Sequence, residues 1–232
     1  DIGKITDRMP VLSETGQRVN RVGFTRKTLE GTFQNFGYFT EYSEDSLNFD
    51  TDDQLMMHIN REMLTAASQI SEALIQADLL NNAGVTKYAG GATQASEIGK
   101  DDLVTFQDLV NLVTDLDNNR TPKDTKVNTG STKIDTLTIP ASRLMYIGSE
   151  LKNTLRKAKD FFDNPAFIPV QKYADGTKAL RGEIGSIDEF RIIVVPEMMK
   201  WAGAGAAAAP TDGVHVTGGK ADVFPMLVVG SE

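Results

Sequence analysis

The feature that most constrains this chain is the stretch from Thr51 to Gly84. Its apolar residues recur at Met56, Ile59, Met63, Ala66, Ile70, Ala73, Ala77 and Leu80, intervals of three and four that align them on one stripe of a helix. Thr51 and Gln54 have the spacing of a capping box, Asp52 and Asp53 fall where the positive end of the helix dipole favours carboxylates, and Gly84 supplies a C-terminal stop. At ~1.5 Å per residue such a helix is about 45 Å long, more than the width of a small domain. The second half of the stripe is mostly alanine, which lets a flat surface such as a sheet approach closely. The expectation is therefore a rod laid across other elements with its alanine side, Ala73 included, against protein; a core helix or a coiled-coil strand are the plainer readings.

Around this helix the chain alternates between strand-like and helix-like segments. Residues 1–28 hold only short apolar spots separated by Ser13-Glu14-Thr15-Gly16, a two-stranded excursion with too little apolar surface for a core of its own. Leu29, Phe33, Phe36 and Tyr38 suggest a strand over 28–40. Beyond Gly84 the glycines Gly90 and Gly91 mark a bend; they lack the spacing of a phosphate loop. Thr105 and Asp108 cap a predicted helix carrying Phe106, Leu109, Val110, Val113 and Leu116, ended by Asn118-Asn119 and Pro122. A polar loop is expected over 122–132 and strands over 134–139 and 143–147, followed by a helix from a Ser149 cap to Lys157 with Leu151, Leu155 and Ala158 inward. The run Phe190-Arg191-Ile192-Ile193-Val194-Val195 has the composition of a strand covered on both faces, hence a central one. The Ala/Gly-rich stretch 201–213 reads as a mobile exposed loop, and 223–229 as a last strand.

Composition excludes several classes of chemistry. The chain has no cysteine, so thiolate nucleophiles, thiolate metal sites and disulfides are impossible. Its two histidines, His58 and His215, are far apart in sequence, and each reads as an ordinary surface or packing residue. Asp115, Asp117 and Asn119 imitate the start of a calcium loop, but Arg120 stands where glycine is required and Lys126 where glutamate is required. Asn119-Arg120-Thr121 is a chance glycosylation triplet. No catalytic, cofactor-binding or metal-binding set emerges. Without a long apolar run or a signal-peptide pattern, nothing points to a membrane, and a soluble intracellular product is the expectation. The lack of an initiator methionine and a strand-like run at the end suggest a piece of a longer chain.

Net charge is −8, which opposes specific nucleic-acid binding. Its distribution is uneven. Residues 1–27 carry six cations against three anions, whereas residues 28–60 carry seven anions and neither lysine nor arginine. A solvated mixed surface would explain this; the sharper expectation is that the basic arm of one copy meets the acidic segment of another. Candidate subunit contacts are Arg8, Arg18, Arg21, Arg26 and Lys27 facing Glu41, Glu44, Asp45, Asp52 and Asp53.

Three segments in order, Tyr88-Ala89-Gly90-Gly91-Ala92, then 164–173 (Asn-Pro-Ala-Phe-Ile-Pro-Val-Gln-Lys-Tyr), then Gly182-Glu183-Ile184-Gly185 leading into Phe190-Arg191-Ile192, resemble the major capsid proteins of short-tailed bacteriophages and their prophage relatives. The resemblance covers roughly 28–230. It implies an α+β chain with the Hong Kong phage capsid fold: an extended loop (1–32), a peripheral domain strand and spine helix (33–84), and an axial domain of mixed sheet and helices (85–232), the return to the peripheral domain being absent. It further implies a structural subunit of an icosahedral shell in the virion, assembled in the host cytoplasm from hexamers and pentamers, with decoration, scaffold and portal proteins as further partners and no cofactor. Two alternatives stay open: an encapsulin-like cellular compartment shell, and a carboxylate-based hydrolase using Asp160, Asp163 or Glu183.

Overall fold

The computed structural model describes residues 54–123, 141–174 and 179–230, with single positions and short runs between 26 and 43. The chain divides into two compact units, Asp1–Leu55 and Met56–Glu232. In the first, the described positions form no strand, and those between 26 and 43 are exposed, Phe36 and Phe39 among them. Of the predicted alternation over 28–40 only Phe36 is described; Leu29, Phe33 and Tyr38 lie outside the described residues. The predicted strand over 134–139, the Thr51 cap, Asp52 and Asp53 lie outside the described residues.

The second unit is built on a five-stranded mixed sheet. Its strands are β1 (Arg143–Ile147), β2 (Phe167–Pro169), β3 (Glu183–Ile187), β4 (Phe190–Val194) and β7 (Met226–Val229), in the order β2-β3-β4-β1-β7. β1 and β4 are parallel and the other neighbours antiparallel. β4 is inside the sheet, as its nearly continuous apolar run predicts. The alternation of side chains sorts residues between the faces. Register sets Arg143 opposite Phe190, Met145 opposite Ile192 and Ile147 opposite Val194, so these share one face. Leu144, Tyr146, Arg191 and Ile193 share the other.

Two helices cover the first face. α2 (Phe106–Asn118) starts at the predicted capping box: the Thr105 hydroxyl accepts from Asp108 N at 3.3 Å, and Asp108 Oδ2 accepts from Thr105 N at 2.9 Å. It inserts Leu109, Val113 and Leu116 against Met145, Ile147, Ile187, Phe190 and Ile192, joined by Leu155 of the short helix α3 (Lys152–Arg156). Burying each such side chain contributes about 1.5–3 kcal/mol. Ser149 does not cap α3. Residues Ser149–Leu151 form a 3-10 turn that begins after Gly148, and the Ser149 hydroxyl bonds to Glu150 instead.

The long helix α1 (Leu55–Asn81) is present, about 40 Å in length. It stops before Gly84. Asn82 closes it, its backbone N–H and side-chain amide both donating to Asp78 O at 3.0 Å. It is not the core: among its residues only Gln76 is buried, where its Oε1 accepts from Met199 N at 3.1 Å. Ile59, Met63, Ala66, Ala77 and Leu80 are half-buried, but Ile70 and Ala73 are exposed, so the alanine side has no close neighbour at its middle.

The Ala/Gly-rich stretch is largely exposed, as expected, but its backbone is tied down by hydrogen bonds where a mobile loop was expected. Trp201 and Val223 exchange two backbone hydrogen bonds of 2.9 Å, Gly205 N donates to Ala221 O, Ala206 N to Ile98 O and Ala208 N to Gly219 O. It lies against a two-residue hairpin joining β5 (Val216–Thr217) and β6 (Lys220–Ala221), turned by Gly218 and Gly219 at φ 61° and 78°. A β-carbon at Gly205 would stand 2.5 Å from Ile98 O. The small residues are there to admit backbone.

Candidate functional site

Arginines inside apolar strands demand counter-charges, and the fold supplies them on both faces. On the face away from α2, Arg191 is 1% exposed and forms a bidentate pair with Glu183, Nε to Oε1 at 2.9 Å and Nη2 to Oε2 at 2.7 Å. Tyr173 Oη donates to Glu183 Oε1 at 2.6 Å, and Leu180 N donates to Oε2 at 2.7 Å. Both carboxylate oxygens are therefore engaged twice. Burial, then the hydrogen bond to Glu183, pushes the Tyr173 hydroxyl well above its usual range. The backbone at this joint is equally specific: Gly182 turns at φ 81°, and a β-carbon at Gly185 would collide with Ile168 O and the Phe167 ring.

The second cluster sits where α2 ends, β1 begins and the β3–β4 turn closes. Arg143, 1% exposed, donates from Nη2 to Asp117 Oδ1 at 2.6 Å and to Thr121 O at 2.8 Å, and from Nη1 to Glu189 Oε2 at 3.4 Å. Lys123 pairs with Asp117 and Glu189. The Arg143 hydrogen bond lowers the Asp117 pKa. Asp188 moves the other way: burial and then its neighbour Glu189 raise it, and it holds a left-handed φ of 49°.

The carboxylates considered for hydrolysis are committed elsewhere. Glu183 is sealed from solvent in its pair with Arg191. Asp160 organises a turn, its Oδ1 accepting from Phe162 N at 2.8 Å and Asn164 N at 2.9 Å. Burial raises the Asp160 pKa, and these N–H groups more than reverse that, leaving it lowered. Asp163 is exposed and pairs with Lys159 at 3.2 Å. Among the described residues no group of three or more His, Asp or Glu could hold a metal ion. Of the candidate subunit contacts, Arg26 and Glu41 are described, both exposed. Arg8, Arg18, Arg21, Lys27, Glu44, Asp45, Asp52 and Asp53 lie outside the described residues.

Comparison with known proteins decides the family. The sequence profile of the phage capsid proteins matches residues 26–230. The chain belongs to the phage capsid protein family. A curated relative, the major capsid protein of Pseudomonas phage KPP21, is 53% identical over 233 residues, covering 100% of this chain and 59% of the relative. The chain therefore spans less than two thirds of that capsid protein's length.

Within this capsid protein two of the three segments that carry the resemblance meet at one joint, Tyr173 from the second against Glu183 and Arg191 from the third. The first makes a separate turn at Gly90, φ 65°, against Asp102. These joints were not foreseen from the sequence. The available signal was Arg143 and Arg191 standing in otherwise apolar strands, since a buried charge requires a partner.

Proposed function

We propose that this chain is a structural subunit, the major capsid protein of a phage, whose copies assemble into an icosahedral shell around the genome. The carrying observation is the 53% identity to a phage major capsid protein across the whole chain. The commitment of Glu183 and Asp160 to internal hydrogen bonds supports a non-enzymatic role. We assign the finer architecture to the Hong Kong phage capsid fold: residues 1–32 as an extended loop, 33–84 as peripheral strand and spine helix, and 85–232 as axial domain. On this reading copies associate in hexamers and pentamers, assembled in the host cytoplasm and carried in the virion, with portal, scaffold and decoration proteins as further partners and no cofactor. An overall acidic subunit suits a shell that does not grip its DNA.

The charge asymmetry of the first 60 residues supports contacts between a basic arm and an acidic segment, Arg8, Arg18, Arg21, Arg26 and Lys27 against Glu41, Glu44, Asp45, Asp52 and Asp53. Each exposed pair contributes only ~0–1 kcal/mol, so the effect comes from repetition around a shell. Electron microscopy of the expressed chain tests the main reading, closed shells or ring-shaped capsomers being the expected result. Reversing Arg18 and Arg21 to Glu tests the arm: assembly should fail at low salt and return partly when Glu44 and Asp45 become Lys. Normal assembly of the first variant would dismiss the arm contact and leave the capsid reading standing.

A further inference from the structure

Two apolar surfaces of the second unit are exposed although the backbone holding each is well ordered by hydrogen bonds. The first is a stripe on α1 opposite its half-buried side. Met57, Leu64, Ile75 and Leu79 fall within an arc of about 60° at 3.6 residues per turn, and Leu64 and Ile75 are 72% and 61% exposed. The second is the loop 160–164. Asp160 N donates to Asn164 O at 2.8 Å, its carboxylate takes two further N–H groups, and Asp163 sits at φ 63°. This closed turn presents Phe161, edge-on to Phe106 at 5.1 Å, and Phe162, 84% exposed. An aromatic ring left 84% exposed on a turn fixed by three hydrogen bonds points to a contact.

Charge says what covers them. From Leu151 to Lys159 the chain carries four cations (Lys152, Arg156, Lys157, Lys159) and no anion. From Glu62 to Thr86, over most of α1, it carries three anions (Glu62, Glu72, Asp78) and no lysine or arginine. Arg61 falls within the same arc, between Met57 and Leu64, and lies 3.8 Å from Glu62; the acidic flank is therefore at the Ile75–Leu79 end, beside Glu72 and Asp78. An aromatic knob with a basic flank and an apolar stripe with an acidic flank are complementary. Both are exposed in one compact unit, so the contact is not made within a chain.

We infer that the 160–164 loop of one copy docks on the outward stripe of α1 of a second copy, Phe162 against Ile75 and Leu79, which are neighbours one turn apart, with Lys157 and Arg156 toward Glu72 and Asp78. This rests on the reading of the chain as a shell subunit. Because the two surfaces differ, the contact is head-to-tail and repeats from copy to copy, closing a ring where the rotation allows.

The test uses the full chain with Phe162→Glu and, separately, Ile75→Glu with Leu79→Glu, followed by sedimentation and microscopy. Each variant alone should keep its circular dichroism and require roughly tenfold or more higher concentration to associate, as loss of an aromatic anchor does. Mixed, the two should form 1:1 dimers, since one intact knob and one intact stripe remain. Phe162→Glu assembling at the wild-type concentration overturns the inference and leaves the capsid reading untouched; a wild-type chain that never associates overturns both. Impairment of the stripe variant alone shows the stripe covered by something other than the loop, and also overturns it. Should a variant misfold, Lys157→Cys with Glu72→Cys in this cysteine-free chain decides the matter. A short bis-maleimide should give a ladder of cross-linked copies from assembled material and none from either single variant; no ladder overturns the contact.

Discussion

The sheet and the long helix handle apolar sequence in opposite ways. β1 and β4 bury Met145, Ile147, Phe190 and Ile192 completely and draw two arginines in with them, each met by carboxylates from elsewhere in the fold. α1 has apolar residues on both sides and leaves most of them in solvent; one side is half-buried, and Gln76 and Gln69 hydrogen-bond to the rest of its unit, the Gln69 amide donating to Glu197 at 3.3 Å. One region satisfies its requirements within the chain. The other is folded locally and lacks its environment. The difference teaches where a substitution is felt: changes at the sheet should unfold the subunit, and changes on the helix should leave the subunit folded and alter what it joins.

The largest expected effect is at the sheet. Glu183→Ala leaves Arg191 buried without its bidentate partner and removes the acceptor of Tyr173, and should cost about 3–5 kcal/mol in denaturant unfolding. A loss below about 1 kcal/mol would break the comparison, because the sheet would then tolerate an orphaned charge.

Gly205→Ala comes next. The added carbon would stand 2.5 Å from Ile98 O and 2.8 Å from Ala221 O, an overpacking that should cost about 1–3 kcal/mol. The same hydrogen bonds should make 201–213 resist limited proteolysis, which cleavage-site mapping checks.

Asp188→Asn should act in the opposite direction, raising stability by no more than about 0.5 kcal/mol, since Asp188 is exposed and solvent screens its repulsion by Glu189. The pH signature separates it from Asp117. Asp188 has a raised folded pKa, so its adverse effect grows as pH rises from the unfolded value of about 3.9 through the folded one. Asp117 has a lowered folded pKa, so its contribution is present above about 3.9 and lost as pH falls through the folded value. Unfolding curves of Asp188→Asn against pH should lose the first trend and keep the second.

The smallest effect is on the helix. Ala73→Leu, at an exposed position, should change subunit stability by less than about 0.5 kcal/mol. A loss of 1–3 kcal/mol on thermal unfolding would mean that the alanine side is packed after all.

The sequence by itself determined elements whose cause is local. The Thr105–Asp108 box needs only residues three apart, and α2 starts there; the period of α1 needs only its own side chains; the nearly continuous apolar run of β4 requires cover on both faces wherever the strand lies. The three segments carrying the resemblance likewise pointed to the family without any contact being known. Tertiary structure decided what depends on neighbours. Whether the stripe of α1 is covered is a property of the covering surface, and Ala73 turned out exposed. Whether 201–213 is loose depended on Ile98, Gly219 and Ala221 being there to pair with its backbone. Which carboxylate meets which arginine depended on chain crossings that bring Glu183 beside Arg191, and Asp117 and Glu189 beside Arg143. Periodicity and capping are short-range and written in residue order, whereas burial and charge pairing join residues far apart in the chain, and those only the folded backbone brings together.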